Sequence, residues 1–288
     1  MSDGYMWPDN KRMAVCISFD FDGPSPYLWN SRESAQVVLG ELEQRRFGPR
    51  VGVWRILELL DDLAIQASFF VPGAIADSHP AAVEAILSAG HEIALHGYMH
   101  ERVEQLTPAE LYDVLDRSIS ALVKVGVSGP LGYRSPSWEM TADAWNALKE
   151  RDVAYDSSLM GSDVPYTMDG MIEVPVDWAL DDAVFYRFTP GTVRPPVTPR
   201  HLIEAWHEEI GASKRYGALV VLTMHPWMSG RAGRAVALRA LLERCAADPE
   251  IWLATAGAIA AHHRSNYGTD SSFRLRPGRI RAECVQEI

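Results

Sequence analysis

Cysteine is scarce in this 288-residue sequence: three occur, Cys16, Cys245 and Cys284, far apart and without C-x-x-C spacing. That scarcity excludes a disulfide framework and a thiolate zinc site as readings, and it predicts three reduced thiols, with Cys16 a small buried residue. Long apolar runs are missing as well. The longest strongly apolar stretch, Ala218 to Met224, is far short of the roughly 20 residues that span a bilayer, so no membrane partner is expected. The first residues, MSDGYMWPDNKRM, carry no apolar run behind a basic start, which gives a cytoplasmic protein as the expectation. Basic side chains are outnumbered, 27 against 38 acidic, for a formal net charge of -11. A polyanion is repelled at long range by such a surface, and nucleic acid is excluded as a partner on that ground.

What is present fits a folded soluble protein: 47% hydrophobic and 23% charged residues. No repeat, low-complexity tract or linker divides the chain, which reads as one domain over 1–288 with a core over 14–264 and a tail over 265–288. Short apolar runs rich in β-branched residues predict strands at Ala14 to Phe19, Ala67 to Val71, Glu92 to Leu95, Met171 to Val176, Ala218 to Met224 and Ile251 to Ala254. Segments of helical period lie between them: Val51 to Leu63, Pro80 to Ala89, Pro108 to Val125, Ala142 to Arg151, Pro199 to Tyr216 and Arg234 to Ala247. Thr107-Pro108-Ala109-Glu110 carries a capping Thr, a Pro at the first helical position and a Glu three residues after the cap; Gly90 and Gly126 serve as stops. Strands alternating with helices predict an α/β fold with a mainly parallel sheet, either open or closed into a barrel. In both versions chemistry gathers at the carboxyl ends of the strands.

The first strand runs into Asp20-Phe21-Asp22-Gly23-Pro24. Alternation points both carboxylates to one side, roughly 6 to 7 Å apart at about 3.3 Å per residue, which lets one bind a metal while the other holds a proton. Read alone, Asp22-Gly23 is also ordinary turn chemistry. A third strand ends in His96-Gly97-Tyr98-Met99-His100, where two imidazoles four residues apart face one cation if the chain turns helically after Gly97. Singly, these are equally one packed and one exposed histidine. Gly132-Tyr133-Arg134-Ser135-Pro136 and Leu222-Thr223-Met224-His225-Pro226 occupy later strand ends. An isolated arginine there is commonly a surface ion pair, and an isolated histidine a packed residue. Four polar constellations at strand ends in one chain are harder to dismiss together.

The order D-F-D, H-G-x-x-H, Y-R-S-P, Asp-Trp and M-H-P, from about Val15 to Ala260, resembles the NodB-homology polysaccharide deacetylases, on the side of the superfamily near allantoinase-like and cyclic-imide hydrolases. The resemblance implies an irregular (β/α) barrel of about seven strands, one divalent metal and hydrolysis of a non-peptide carbon–nitrogen bond. It implies Asp22, His96 and His100 as metal ligands, Asp20 as catalytic base, Arg134 as the arginine that holds the base, and His225 as catalytic acid. Asp177, in Asp177-Trp178, matches the carboxylate that tunes that histidine. Zn²⁺ is the implied ion, with Co²⁺ or Ni²⁺ as substitutes. The first motif reads S-F-D-F-D where many members have T-F-D-D, and an Asp181-Asp182 insert follows Trp178. The added residue between the carboxylates resembles the imidase side.

These residue types suit amide hydrolysis, which needs a nucleophile stronger than bulk water, a base, an oxyanion stabiliser and an acid for the leaving amine. The expected partner is a small-molecule amide, imide or N-acetylated sugar. Deacetylation of the sugar leads; a cyclic imide or ureide is the alternative, and a non-catalytic carbohydrate-binding relic is the reading from another class. Trp138, Trp178, Tyr98 and Trp227 lie beside the motifs and are expected to line the substrate site by stacking, with core filling as the other role. The segment from Trp178 to Phe188 is expected to narrow the groove. The tail reads as a contact in a homo-oligomer or as a fraying end.

Overall fold

A computed structural model describes residues 5–129, 131–188 and 195–269. Its strands are β1 (Met13–Asp20), β2 (Ser68–Val71), β3 (Glu92–Leu95), β4 (Gly132–Tyr133), β5 (Tyr155–Asp156), β6 (Tyr166–Met168), β7 (Met171–Glu173), β8 (Leu219–Met224) and β9 (Ile251–Leu253). They form one curled sheet in the order β6-β7-β5-β4-β3-β2-β1-β8, with β9 beside β1. Every pairing is parallel except the β6–β7 hairpin. β1 pairs with β8 along one edge, while its other edge is shared: Met13–Val15 meet β9 and Ser18–Asp20 meet β2. On the far side of β8 a single parallel bridge, Asp181 to Thr223, brings in the chain that follows β7. This is the irregular (β/α) barrel of the sequence-based expectation.

Alternation along β1 sorts its side chains into two cores. Met13, Val15, Ile17 and Phe19 enter the larger core beneath the helices. Ala14 and Cys16 join Phe70, Ala94, Tyr155 and Ile172 in a second, smaller cluster inside the curled sheet. The same period of two carries Ser18 and Asp20 to that interior face. The helices Pro80–Ser88, Pro108–Lys124, Ala142–Lys149, Pro199–Tyr216 and Ala232–Ala247 match the helical periods to within a few residues. Thr107 caps Pro108–Lys124 with Glu110 in a full capping box. The helix Ala256–Tyr267 runs through the boundary expected at 264. Residues 270–288, Cys284 among them, lie outside the described residues. Cys16 and Cys245 are buried free thiols.

Candidate active site

Asp20 ends β1 with its side chain inside the sheet, and Arg134, the residue after β4, reaches it across the two intervening strands β3 and β2. Arg134 Nη1 donates to Asp20 Oδ1 at 2.7 Å and to Ser18 Oγ at 3.0 Å. Its Nε and Nη2 donate to Ser157 O at 3.0 Å and Ser157 Oγ at 3.1 Å, and its guanidinium lies 3.9 Å over the Phe70 ring. The arginine is fully buried, so it is a fixed cation rather than a surface ion pair. It leaves Asp20 Oδ2 facing His96 Nε2 at 3.8 Å.

Asp22, His96 and His100 converge beside Asp20. His96 Nε2 lies 3.3 Å and His100 Nε2 3.8 Å from Asp22 Oδ1, and one ligand atom from each residue falls within 4.8 Å of the others. His96 Nδ1 is 2.8 Å from Arg134 O. A carbonyl only accepts, so Nδ1 carries the hydrogen and Nε2 presents a lone pair to the Asp22 oxygen. Both facing atoms are buried without a hydrogen-bond partner. Two lone pairs in such a place call for a positive charge between them, a proton or a metal ion, and this donor set of two imidazoles and a carboxylate fits a divalent cation. The electrostatics agree. Burial disfavours ionised Asp22, yet His100, His96 and His225 outweigh it and hold its pKa well below the usual carboxylate range. Burial also opposes an imidazolium at His96, but Asp20 and Asp22 raise its pKa, whereas at His100 burial dominates and lowers it to about 4.

The two histidines do not come together through a helical turn. Gly97 and His100 both adopt left-handed φ, 68° and 64°, and the loop between them is closed by Glu101, whose Oε2 accepts from Tyr98 N at 2.9 Å. A Cβ on Gly97 would meet Glu101 Oε2 at 3.0 Å and the Pro136 ring at 3.1 Å, so glycine is needed for space and for φ.

His225 follows β8, with Nε2 3.6 Å from Asp22 Oδ2. Its Nδ1 bonds Asp182 Oδ1 at 2.7 Å, and its backbone N donates to Asp182 Oδ2 at 3.0 Å, which also accepts from Ser229 Oγ. Asp181 Oδ1 is 3.7 Å from the same imidazole nitrogen. Burial lowers the His225 pKa, but the charge and hydrogen bond of Asp182 outweigh it and push it up to about 10. The carboxylate on this histidine is therefore Asp182, not Asp177. Asp177 Oδ1 accepts from Ala179 N at 2.7 Å and caps the short turn Trp178–Leu180 at an exposed position.

The polysaccharide deacetylase family matches residues 47–155, a span holding His96, His100 and Arg134. A crystal structure of a protein from Mycobacterium smegmatis described as a polysaccharide deacetylase is 38% identical, superposes with a TM-score of 0.89, and covers 96% of this chain and 98% of its own. The chain belongs to the polysaccharide deacetylase family. A peptidoglycan deacetylase-like protein of Gibberella zeae is 26% identical over 81% of this chain and 80% of its own length. The crystal structure of Puue allantoinase, at 20% identity and TM-score 0.81 over 93% of this chain and 96% of its own, shares the fold.

In this family member the site opens into a cavity of about 140 Å³, bounded by Asp22, His100, Trp138, Asp181, His225 and Trp227. Trp138 stacks on the half-exposed Trp178, ring centroids 4.2 Å apart at 28°, and both line the cavity. Ser137 and Trp138 hold left-handed φ of 60° and 56°, backbone strain that aims the indole inward. The segment from Trp178 onward forms part of the wall, as expected of it. Tyr98 does not. Its hydroxyl donates to Asp77 Oδ2 at 3.0 Å and the Arg117 guanidinium covers its ring at 3.8 Å, which fixes it on the outer side of β3 and corrects its assignment to the substrate site. A larger cavity of about 720 Å³ lies at the amino ends of the strands near Glu92, Tyr155 and Arg264, away from all of these groups.

Sequence reasoning missed Asp182, Ser18, Ser157 and Glu101. It also missed the packing beneath His225: the chain leaves the helix Leu39–Phe47 through a π-helical turn, Gly48–Gly52, that lies against Pro226 and Trp227. The G-P-R-V-G pattern there is the one signal that a close backbone approach was needed.

Proposed function

We propose that this protein is a metal-dependent hydrolase that removes the acetyl group from an N-acetylated sugar. The observation that carries the reading is the convergence of an arginine-held carboxylate, a cation-demanding Asp-His-His set and a carboxylate-backed histidine on one small cavity. Asp22, His96 and His100 would hold the ion, for which zinc suits the two imidazoles and one carboxylate. When bound there, a divalent ion supplies a Lewis acid for the amide carbonyl. Asp20, aimed by Arg134, accepts the proton of the attacking water. His225 carries its proton on the face toward Asp22 and gives it to the departing nitrogen, while Asp182 stabilises the imidazolium beforehand. Trp138 and Trp178 offer an apolar platform for a sugar face, and a cavity of about 140 Å³ suits an acetamido group rather than a whole oligosaccharide.

The test is acetate release from chitooligosaccharides and peptidoglycan fragments, beside ring opening of succinimide, hydantoin and allantoin, on chelated protein supplied with Zn²⁺, Co²⁺ or Ni²⁺. Metal-restored acetate release is the expected result. Ring opening without acetate release would transfer the chemistry to cyclic amides, and no turnover in any arm would leave a binding protein.

A further inference from the structure

Arg45 stands in the last turn of Leu39–Phe47, 4% exposed, with its guanidinium on the cavity wall that also holds Asp22, His100 and Trp227. A guanidinium this deep normally sits in a two-point carboxylate pair. Here the carboxylate within 4.0 Å is Glu41, whose Oε1 is shared by Nε at 3.3 Å and Nη2 at 3.4 Å, both long contacts to one oxygen. Among the described residues no acceptor takes Nη1. The guanidinium carbon lies over the Trp227 ring, 5.1 Å from its centroid, and both residues line the cavity.

A second arginine faces the same space. Arg187 ends the helix Asp182–Tyr186, lines the cavity, and among the described residues has no carboxylate within 4.0 Å. Burial weighs most against the Arg45 charge; Asp22 and Glu41 support it, and Arg187 opposes it. The carboxylates on the same wall are Asp22, which lies against His96, and Asp181, whose Oδ1 accepts from Ala183 N at 2.7 Å; neither is within 4.0 Å of either guanidinium among the described residues. Two loosely paired cations on a cavity of about 140 Å³ are an unfavourable arrangement until an anion enters between them.

The geometry points to a substrate that carries a carboxylate beside the scissile amide, with Arg45 as the specificity-determining residue and Arg187 as a second, outer cation. The inference rests on the hydrolase reading above and narrows its substrate class. A carboxylate matches the planar fork of one guanidinium in a space this small.

N-acetylglycine and its isostere N-acetylglycinamide differ in charge alone and serve as probes, with affinities measured by calorimetry and ligand-observed NMR. A charge-assisted contact of this kind is worth roughly ten- to hundredfold in affinity, and the wild-type protein is expected to favour the acid by that ratio. In Arg45→Gln the ratio falls to near one, and Arg45→Lys restores part of it. Arg187→Gln, at an exposed position that spares the core, lowers the ratio by about threefold at low salt and less at high salt. A wild-type ratio near one, binding of neither probe, or a ratio that survives Arg45→Gln each overturns the inference; the last would assign the preference to the cation site at Asp22. Turnover is read separately. Hydrolysis of neutral chitooligosaccharides without anionic preference keeps the hydrolase reading and removes this one, and anionic preference without turnover of any substrate overturns both, leaving Arg45 in an anion-binding cavity with no scissile amide.

Discussion

Asp182→Asn tests which carboxylate governs His225. The imidazole pKa is pushed from 6.5 to about 10, a rise that corresponds to about 5 kcal/mol in favour of the imidazolium at 1.36 kcal/mol per unit. Asp182 is the largest of the raising influences, followed by Asp181 and Asp22. A single opposite charge in contact accounts for about 1 to 3 units. Removing it therefore moves the alkaline limb of the pH–rate profile down by about two units, and turnover at pH 9 falls roughly 10-fold more than at pH 6. Stability moves the other way. A histidine whose folded pKa exceeds its unfolded value contributes stability in full below about 6.5 and loses it as pH rises through the folded value of about 10. In chelated protein the gap in unfolding free energy between wild type and Asp182→Asn is thus widest near pH 6 and closes toward pH 10, while the activity gap widens. Asp177→Asn, which alters one exposed cap, costs at most about 1 kcal/mol and leaves the profile in place. A profile for Asp182→Asn that superposes on the wild type, or one that Asp177→Asn displaces, refutes the assignment.

His100→Ala is expected to remove most of the bound divalent ion, whereas Asp20→Asn keeps it and loses turnover by roughly 10² to 10⁴; metal content and rate measured on the same samples decide, and full stoichiometry in His100→Ala would sink the ligand set. Buried Asp156 Oδ2 and Glu173 Oε2 lack other partners, and one shared proton satisfies both; burial raises the Asp156 pKa to about 6 and that of Glu173 well above normal. Acids with raised folded pKa bind more protons folded than unfolded, so stability falls as pH climbs from about 4 through 6 and beyond. Glu173→Gln keeps the acceptor for Ser158 and Leu159 N–H and gives Asp156 a permanent donor, so it should melt higher than wild type at pH 8 but not at pH 5. A lower melting temperature at both pH values would rule out the shared proton. Gly52 has helical φ and ψ of -62° and -47°, which alanine also adopts, yet its Cβ would fall 2.0 Å from Pro226 O. Gly52→Ala should then cost about 1 to 3 kcal/mol and displace His225, and wild-type melting and rate together would show the packing to be slack.

Strands and helices long enough to display a period were legible: β1, β2, β3 and β8 follow their apolar runs, and Pro199–Tyr216 has the bounds its pattern predicts. β4 and β5, two residues each, are too short for any period, and Arg134 stood out only through its neighbours in sequence. Tyr98 was misplaced because adjacency to His96 says nothing about direction: the left-handed step at Gly97 turns the next side chain outward, onto Asp77 and Arg117. Asp182 was illegible for a different reason. Its partner is 43 residues away, and the contact depends on the bridge between Asp181 and Thr223, an event of barrel closure rather than of local pattern. That bridge carries a consequence for function. β8 ends one residue before His225, so the chain that closes the barrel there is also the chain that delivers the carboxylate to the histidine. Asp182 makes the junction rigid by accepting from His225 N, His225 Nδ1 and Ser229 Oγ at once. Under the proposed mechanism, closure of the sheet and protonation of the leaving group are thereby tied to one buried side chain, and a variant that loosens the first is expected to weaken the second.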